Sequence, residues 1–272
     1  MATSLVTGAT GAIGGAVARE LSARPGVVVL LARDSARGEA TRNALSSGKA
    51  QVELLTCDLS NAASVRDAAR AFLTTHSSLN LLVNTAAIFE RQRHVTPEGR
   101  ELMFATNHLG PFLLTNLLLP ALGAGAPSRV ITVSAPASTR LDFEDLDGLR
   151  RFSAFHAFGA SKSANLLFTG GLARRTAAAG ITPVSFHPGI VKSGLMRDAP
   201  ALARFITALA GRPPARAASA LVKLGTDPAL RLEAGGFYKL DRPARAPTYS
   251  REESVQEQLW AASAKLVGLA QP

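Results

Sequence analysis

The sequence predicts a single α/β domain built on a doubly wound parallel β-sheet that is flanked by helices. Short apolar runs typical of strands alternate with longer alanine-rich runs typical of helices along the whole chain, and this order favours right-handed βαβ units. The run Val27–Leu31 contains only Val and Leu, as expected of a strand that is covered on both faces. A length of 272 residues suits one large domain.

The individual elements follow from this alternation, and no repeat or linker divides residues 1–272. The predicted strands are Ser4–Thr7, Val27–Ala32, Gln51–Thr56, Leu81–Asn84, Arg129–Ser134, Thr182–His187 and Gly236–Lys239. The predicted helices are Gly14–Ala23, Ala36–Ser46, Ala62–His76, Thr96–Leu118, Phe155–Ala178, Ala199–Leu209, Pro214–Gly225 and Ser250–Val267. In such a sheet a ligand binds beyond the carboxyl ends of the strands, so the functional residues are expected just after each strand.

Composition excludes several classes of protein. Hydrophobic residues make up 47% of the chain, too many for a disordered protein. With Cys57 as the single cysteine, an internal disulfide is impossible and a reducing compartment fits. The most apolar long stretch, Leu109–Leu122, is interrupted by prolines and is too short for a membrane span. An apolar strand already begins at Thr3, which argues against a signal peptide. We therefore expect a cytoplasmic protein with no membrane partner and no metal.

A glycine-rich turn follows the first predicted strand and opens the first predicted helix. Glycines allow a tight turn and close approach of a pyrophosphate, while the helix N-terminus offers free N–H groups and its positive dipole end. Alone the turn is compatible with an ordinary βα connection, but its position predicts a dinucleotide site. The candidate residues are Thr7, Gly8, Thr10, Gly11, Ala12, Ile13 and Gly14.

The end of the second predicted strand indicates which dinucleotide binds. An acidic side chain there would accept a hydrogen bond from the ribose 2′-hydroxyl of NAD. The chain has Arg33 instead, whose planar guanidinium suits the 2′-phosphate of NADP. Arg37, one helical turn later, is either a second phosphate ligand or an exposed surface residue. The sequence thus favours NADPH/NADP+ as the cofactor.

These features resemble the short-chain dehydrogenase/reductase family, whose sheet is of the Rossmann type. Thr7–Gly14 resembles its TGxxxGxG signature, and the Ala-Arg-Asp strand end resembles its NADP-using, retinol-dehydrogenase-like branch. Further motifs match in order over roughly residues 3–268, with Thr85 and Ala87 as departures from the LVNNAG motif. The resemblance implies cofactor contacts for Asp58, Leu59, Asn84, Ala86, Lys162, Pro188, Gly189, Ile190 and Val191. It also identifies Asn107 as the family's active-site asparagine.

The same resemblance implies that two catalytic side chains are missing. The family reduces carbonyls with a tyrosine as proton donor, a serine that positions the carbonyl, and a lysine four residues after the tyrosine. That lysine is Lys162, which places Phe158 at the tyrosine position and Ala135 at the serine position. Phenylalanine has no acidic proton, and a positioned acid contributes ~10²–10⁴-fold to the rate. The loss of both residues resembles atypical reductases of aromatic polyketide pathways.

Several other residues are candidate proton donors. Ser134 adjoins the lost serine position but should point to the opposite side of its strand. His156 should face away from Phe158 on the helix, and the other two candidate histidines, His108 and His187, fit core packing and a strand cap better than catalysis. Lys162 either relays a proton or only binds the nicotinamide ribose.

The segment 194–217 occupies the position of the family's substrate lid. Its apolar residues recur at near-helical spacing, either to pack the lid on the body or to contact substrate; they are Met196, Leu202, Phe205, Ile206 and Leu209. Phe158 is expected to form an apolar wall against a flat substrate. The formal net charge of +10 reflects either a solvated surface or a field that attracts NADPH and an acidic substrate. No basic run interleaved with aromatics indicates a nucleic-acid partner.

Three functions remain open at this point. The first is an NADPH-dependent ketoreductase whose aromatic substrate carries a phenol beside the carbonyl and so supplies the missing hydrogen-bond donor. The second is a reductase of conjugated C=C or C=N bonds. The third is a non-redox NADP-binding protein, such as a subunit, sensor or cyclase. The sequence leaves the exact substrate and the oligomeric state open.

Overall fold

The structure is a computed structural model that describes residues 1–196, 209 and 211–270. In this part of the chain one sheet of eight strands has the order β3-β2-β1-β4-β5-β6-β7-β8. Neighbouring strands are parallel except for β7 and β8, which are antiparallel. The strand order reverses between β1 and β4, and such a switch point opens a ligand crevice at the carboxyl ends of the strands. The predicted fold class is thus confirmed.

The strands lie close to the predicted positions. They are β1 (Thr3–Thr7), β2 (Gly26–Ala32), β3 (Ala50–Thr56), β4 (Leu81–Asn84), β5 (Ser128–Val133), β6 (Ile181–His187), β7 (Phe237–Lys239) and β8 (Arg242–Ala244). Strand β8 was not predicted, because its three residues, Arg-Pro-Ala, lack the apolar character of a strand. It is a short edge strand with an arginine and a proline, both typical of protected sheet edges.

Helices cover both faces of the sheet. They are α1 (Ala12–Ser22), α2 (Ser35–Leu45), α3 (Ala62–Thr75), α4 (Leu102–Phe104), α5 (Gly110–Leu117), α6 (Leu119–Ala124), α7 (Ala154–Arg175), α8 (Pro214–Thr226) and α9 (Glu253–Leu266). A core that includes Phe72, Phe112 and Phe168 joins the sheet to α3, α5 and α7. A second core, which includes Val17 and Leu221, joins its other face to α1 and α8. None of the helices in the described ranges is both long and apolar enough to cross a bilayer.

Two predicted helix starts are wrong. Residues 96–101 form a turn rather than the first part of a helix, because Gly99 has a φ of 79° and the Glu101 carboxylate caps the helix from outside, accepting from the N–H groups of Met103 and Phe104 at 2.9 and 2.7 Å. The C-terminal helix begins at Glu253, after a 3-10 turn at Thr248–Arg251. The predicted helix at 199–209 lies outside the described residues except for its last position.

Candidate functional site

The predicted site residues meet at one edge of the sheet. Strands β1, β4, β5 and β6 end at Thr7, Asn84, Val133 and His187, and parallel strands bring their carboxyl ends to the same edge. The glycine-rich turn, the lysine of α7 and the segment after β6 therefore surround one crevice. Within the described residues, no three His, Cys, Asp or Glu side chains are grouped to hold a metal ion.

The glycine-rich turn is held close to the end of β4. Gly8 has a φ of 63°, and a Cβ there would lie 2.8 Å from the Cα of Ala86. A Cβ on Gly14 would lie 2.3 Å from the carbonyl oxygen of Gly8, so the start of α1 packs directly on the turn. Gly11 caps α1 without a side-chain hydrogen bond. The first N–H groups of the helix have no intrahelical partner and are available to an anion.

The departure from the family motif at Thr85 has a structural role. The N–H groups of Thr85 and Ala86 donate to the Thr7 hydroxyl oxygen at 3.0 and 3.2 Å. The Thr85 hydroxyl in turn donates to the Thr7 carbonyl oxygen. These three bonds connect the ends of β1 and β4 at the base of the turn. Thr85 thus maintains the turn although it differs from the usual asparagine.

The two arginines predicted to bind the 2′-phosphate both lie on the surface beside this turn. Arg33 follows β2 directly and is exposed. The guanidinium of Arg37 donates to the carbonyl oxygen of Thr10 at 3.3 Å, so it lies against the turn rather than facing away from it. Asp34 caps α2 by accepting from the Arg37 N–H at 3.0 Å, which fixes the helix that carries this arginine.

The residues predicted to contact the adenosine half lie after β3 and at the end of β4. The Asp58 carboxylate accepts from the N–H and the hydroxyl of Ser60 at 2.9 and 2.7 Å, and Leu59 is buried. The Asn84 amide donates to the Thr115 hydroxyl at 3.2 Å, while its side-chain oxygen is buried and has no hydrogen-bond partner among the described residues. That oxygen is an acceptor that a ribose hydroxyl would satisfy.

The segment predicted to hold the nicotinamide follows β6. Gly189 has a φ of 76°, which glycine adopts without strain and which turns the chain away from Pro188. Ile190 is 47% exposed, whereas Val191 is 8% exposed and forms an isolated bridge with Arg212. The Arg212 carbonyl oxygen accepts from the Lys192 N–H at 3.0 Å, so this segment is held against the chain that follows the predicted lid.

Lys162 lies buried at the centre of the site. The side chain is 5% exposed, its Nζ is 3.5 Å from the carbonyl oxygen of Val133, and no carboxylate of the described residues pairs with it. The ammonium lies over the Phe158 ring, 5.4 Å from the centroid. Burial lowers the pKa of Lys162 to about 8. The group at the reacting end of the crevice is thus a poorly solvated cation beside an aromatic face.

Asn107 positions the segment after β4. It lies in a π-helical turn, Ala105–Leu109, a type of turn that is frequent at functional sites. Its amide donates to the Ile88 carbonyl oxygen at 3.0 Å and to the Ser161 hydroxyl at 3.2 Å, and its side-chain oxygen accepts from the Ile88 N–H at 2.8 Å. Both ends of the amide are therefore used to hold the chain around Ile88 and α7 in place.

The other candidate proton donors are engaged elsewhere or lie apart. The Ser134 hydroxyl donates to the Lys162 carbonyl oxygen at 2.8 Å, which favours a structural role over proton transfer. His108 is fully buried between Asn165 and Ser263, and burial lowers its pKa to about 4. His156 is exposed.

His187 lies at the end of β6 and stacks on Phe237, with ring centroids 6.3 Å apart. Burial, together with nearby Lys239, lowers the pKa of His187. The neutral imidazole is therefore the favoured form at neutral pH, and its ring contact with Phe237 does not direct it toward Phe158.

An aromatic cluster that the sequence did not predict lies beside Phe158. Phe89, which is 3% exposed, has its ring centroid 5.7 Å from that of Phe158 and 5.2 Å from that of Phe155. Leu195, at the start of the predicted lid, packs against the same cluster. Phe155 precedes Phe158 by three residues, so both side chains lie on one face of α7. This spacing could have predicted their proximity from the sequence.

Part of the predicted lid lies outside the described residues, including Phe205 and the side chain of Met196. Residues 194–196 form a 3-10 turn, and the end of the predicted lid is the first turn of α8, where Ala217 is buried. A separate cavity of about 740 Å³ is lined by His156, Ala157 and Ala160 of α7. At 100° per residue the His156 and Ala160 side chains face away from Phe158, so this cavity lies on a different side of α7 from the crevice described above.

Comparison with known proteins matches most of this chain to one protein family. Residues 2–201 match the family model for short chain dehydrogenase. Human retinol dehydrogenase 11 is 35% identical over 97% of this chain and 85% of its own, and human dehydrogenase/reductase SDR family member 13 is 38% identical over 98% and 73%.

Solved structures with a similar fold cover nearly the whole of this chain. An uncharacterized protein from Mycobacterium paratuberculosis has a TM-score of 0.78 and 32% identity, covering 100% of this chain and 95% of that one. An NADPH-bound carbonyl reductase from chicken fatty liver has a TM-score of 0.68 and 22% identity over 90% of this chain and 98% of its own, a similarity of fold.

Proposed function

The chain belongs to the short-chain dehydrogenase family, and from that premise we propose that it is an NADPH-dependent ketoreductase of aromatic polyketide-type ketones. The observation that carries the proposal is the buried Lys162 ammonium, which lies over the Phe158 ring beside the predicted cofactor-binding elements. A cation held out of water at the reacting end of the crevice suits negative charge that develops on a carbonyl oxygen.

The residues of the crevice fit NADPH. In the turn Gly8–Gly14, close backbone packing excludes side chains at Gly8 and Gly14, and the free N–H groups at the start of α1 complement the charge of a pyrophosphate. Arg33 and Arg37 would bind the 2′-phosphate, Asn84 a ribose hydroxyl, and Lys162 the nicotinamide ribose. When bound, NADPH supplies the hydride for the carbonyl carbon.

The chain's own residues then leave one task to the substrate. Lys162 Nζ holds a proton and a positive charge near the carbonyl oxygen, and the half-buried ring of Phe158 excludes water from it. Neither Phe158 nor Ala135 offers an O–H group. A phenol beside the substrate carbonyl would donate the missing hydrogen bond and later transfer its proton to the alkoxide, regaining one from solvent. Exposed Arg212 and Arg216, at the end of the lid segment, favour a substrate with negative charge.

A non-redox NADP-binding role is the second candidate. It is favoured by the engagement of Asn107 and Ser134 within the fold, because neither side chain is then free to act on a substrate. Reduction of a C=C or C=N bond would use the same lysine. Transfer of a labelled hydride separates these possibilities.

The decisive experiment uses NADPH that is deuterated at the pro-S position of C4, the face this family delivers. The protein is incubated with aryl ketones that carry a phenol beside the carbonyl, and with their methyl ethers as matched controls. We expect deuterium at the carbinol carbon of the phenols and little in the ethers. Label at the carbon β to a carbonyl would support the C=C alternative, and absence of label with NADPH bound would support the non-redox one.

Restoring the missing acid provides a second prediction. Phe158→Tyr should change kcat/KM for the phenol-bearing ketone by less than about tenfold, because the substrate already supplies the hydrogen bond. It should raise the rate for the methyl ether more. Steady-state kinetics on both substrates measure this difference. A gain of about 100-fold on the phenol, ~2.7 kcal/mol of barrier, would contradict substrate assistance.

A further inference from the structure

We propose that Phe89, Phe155 and Phe158 form an aromatic wall that selects ketones with an extended polycyclic body. This inference rests on the proposed function and specifies its substrate class. It assigns specificity to Phe155 and Phe89, which lie outside the cofactor-binding elements and carry no chemical group that could take part in the reaction.

The wall begins at the reacting end of the crevice and runs to its mouth. Phe155, Phe158 and Lys162 are spaced i, i+3 and i+7 on α7, so they share one stripe of the helix. At 1.5 Å per residue, the axial distance from Lys162 to Phe155 is about 10 Å. Exposure increases in the same direction, since Lys162 is 5% and Phe155 is 51% exposed.

Phe89 packs against both rings of the wall that lie on α7 and holds them in position. Both backbone groups of its neighbour Ile88 are bound by the Asn107 amide, and the Phe89 ring is buried. Its centroid lies 5.7 Å from Phe158 in an edge-on arrangement and 5.2 Å from Phe155 in a tilted one, both within the range of favourable aromatic pairs. The two rings on α7 are thus held in place before a ligand arrives, which lowers the entropic cost of binding.

The length of the wall favours one ligand shape. Fused rings extend a ligand along its long axis, so a bicyclic ketone held at Lys162 would end near Phe158, whereas a linear tricyclic ketone with its carbonyl on a terminal ring would extend toward Phe155. Leu195 packs on the same cluster from the start of the lid segment and adds an apolar neighbour. A flat aromatic body would therefore cover the exposed part of Phe155, which is otherwise one of the large apolar side chains left in water.

The test compares two probes that present the same phenol beside a ketone. They are 8-hydroxy-1-tetralone, which is bicyclic, and 9-hydroxy-3,4-dihydroanthracen-1(2H)-one, which has the same ketone and phenol and carries a third ring fused linearly beyond the phenol ring. Dissociation constants for the complex of the protein with NADP+ are measured by calorimetry, so no turnover is required. We expect Phe155→Ala to weaken the tricyclic probe about tenfold, ~1.4 kcal/mol, and the bicyclic probe less than twofold.

Two further variants serve as controls. Phe155→Tyr keeps the ring and should retain tricyclic binding, and Leu149→Ala removes a side chain that is 74% exposed outside the wall and should change neither probe. Equal weakening of both probes by Phe155→Ala, no effect on the tricyclic one, or no binding of either to the wild-type complex would overturn the proposal. If the protein prefers the tricyclic probe but transfers no hydride to any ketone, the aromatic wall is upheld and the ketoreductase function is refuted.

Discussion

Replacing Lys162 by methionine should lower kcat/KM for ketone reduction about a thousandfold, ~4 kcal/mol of barrier. Methionine has a similar length and removes the charge. The loss combines the ammonium that faces the developing alkoxide, since single donors of this kind contribute ~10²–10³-fold, with a contact to the nicotinamide ribose. NADPH titration measures the second contribution separately, and we expect it to be the smaller one.

The pH dependence of the rate distinguishes a chemical role of Lys162 from a packing role. Because burial lowers its pKa to about 8, the ammonium is present below pH 8 and is lost above it. The wild-type rate should therefore decrease as pH rises through about 8. Lys162→Arg is the matched control, since arginine stays protonated in this range and should keep a flat profile. A wild-type rate that is constant from pH 7 to 9.5 would exclude the ammonium from the reaction.

Protein stability reports on the same group without turnover. Between pH 8 and the ordinary value of 10.5, the unfolded chain binds a proton at Lys162 that the folded chain does not. The free energy of unfolding of the cofactor-free protein should therefore rise with pH across this window. The full rise corresponds to about 3 kcal/mol. Lys162→Met should lack this increase, and it should be more stable than the wild type below pH 8, where the wild type buries an unpaired charge.

Much of this site could be predicted because its determinants are local in sequence. The turn Thr7–Gly14 requires glycine for positive φ and close packing, and only a few residue types meet these requirements. The i, i+4 relation of Phe158 and Lys162 fixes their common helix face. The apolar strands are long enough to specify a parallel sheet and thereby the edge at which these residues meet.

The remaining features depend on contacts between distant segments. The π-helical turn at Asn107 and the bonds from this residue to Ile88 and Ser161 have no counterpart in local propensity. The start of α4 is set by the Glu101 cap rather than by the apolar pattern. Phe89 belongs to the site because the segment after β4 lies against α7, which tertiary packing alone determines.

The buried charge of Lys162 affects both the stability of the fold and the proposed function. A buried ammonium without a carboxylate partner destabilises the folded chain, and the Ser134 hydroxyl stabilises the α7 backbone at this residue. The site therefore retains a charge that costs stability. The Phe158 ring and a sheet-end carbonyl are poor partners for a free cation, but they leave its charge available to a ligand.

The double substitution Arg33→Ala/Arg37→Ala should weaken NADPH about 100-fold, ~2.7 kcal/mol, and NADH less than about threefold. Each guanidinium would make charge-assisted hydrogen bonds to the 2′-phosphate, and bonds to charged groups contribute about 1.5–3 kcal/mol each. Both residues are exposed, so solvent screening keeps their combined effect near the lower end of the sum. Cofactor fluorescence titration measures both dissociation constants.

The single variants divide this effect between the two arginines. Arg33→Ala should account for most of the loss, because Arg33 lies directly at the end of β2, whereas part of the Arg37 guanidinium is engaged by the Thr10 carbonyl oxygen. Arg70→Ala removes an exposed arginine from α3 that pairs with Asp67, and it should change neither cofactor. If the double variant weakened NADH and NADPH equally, the arginines would support the glycine-rich turn rather than read the 2′-phosphate. The preference for NADPH would then have to arise from other residues around the adenosine ribose.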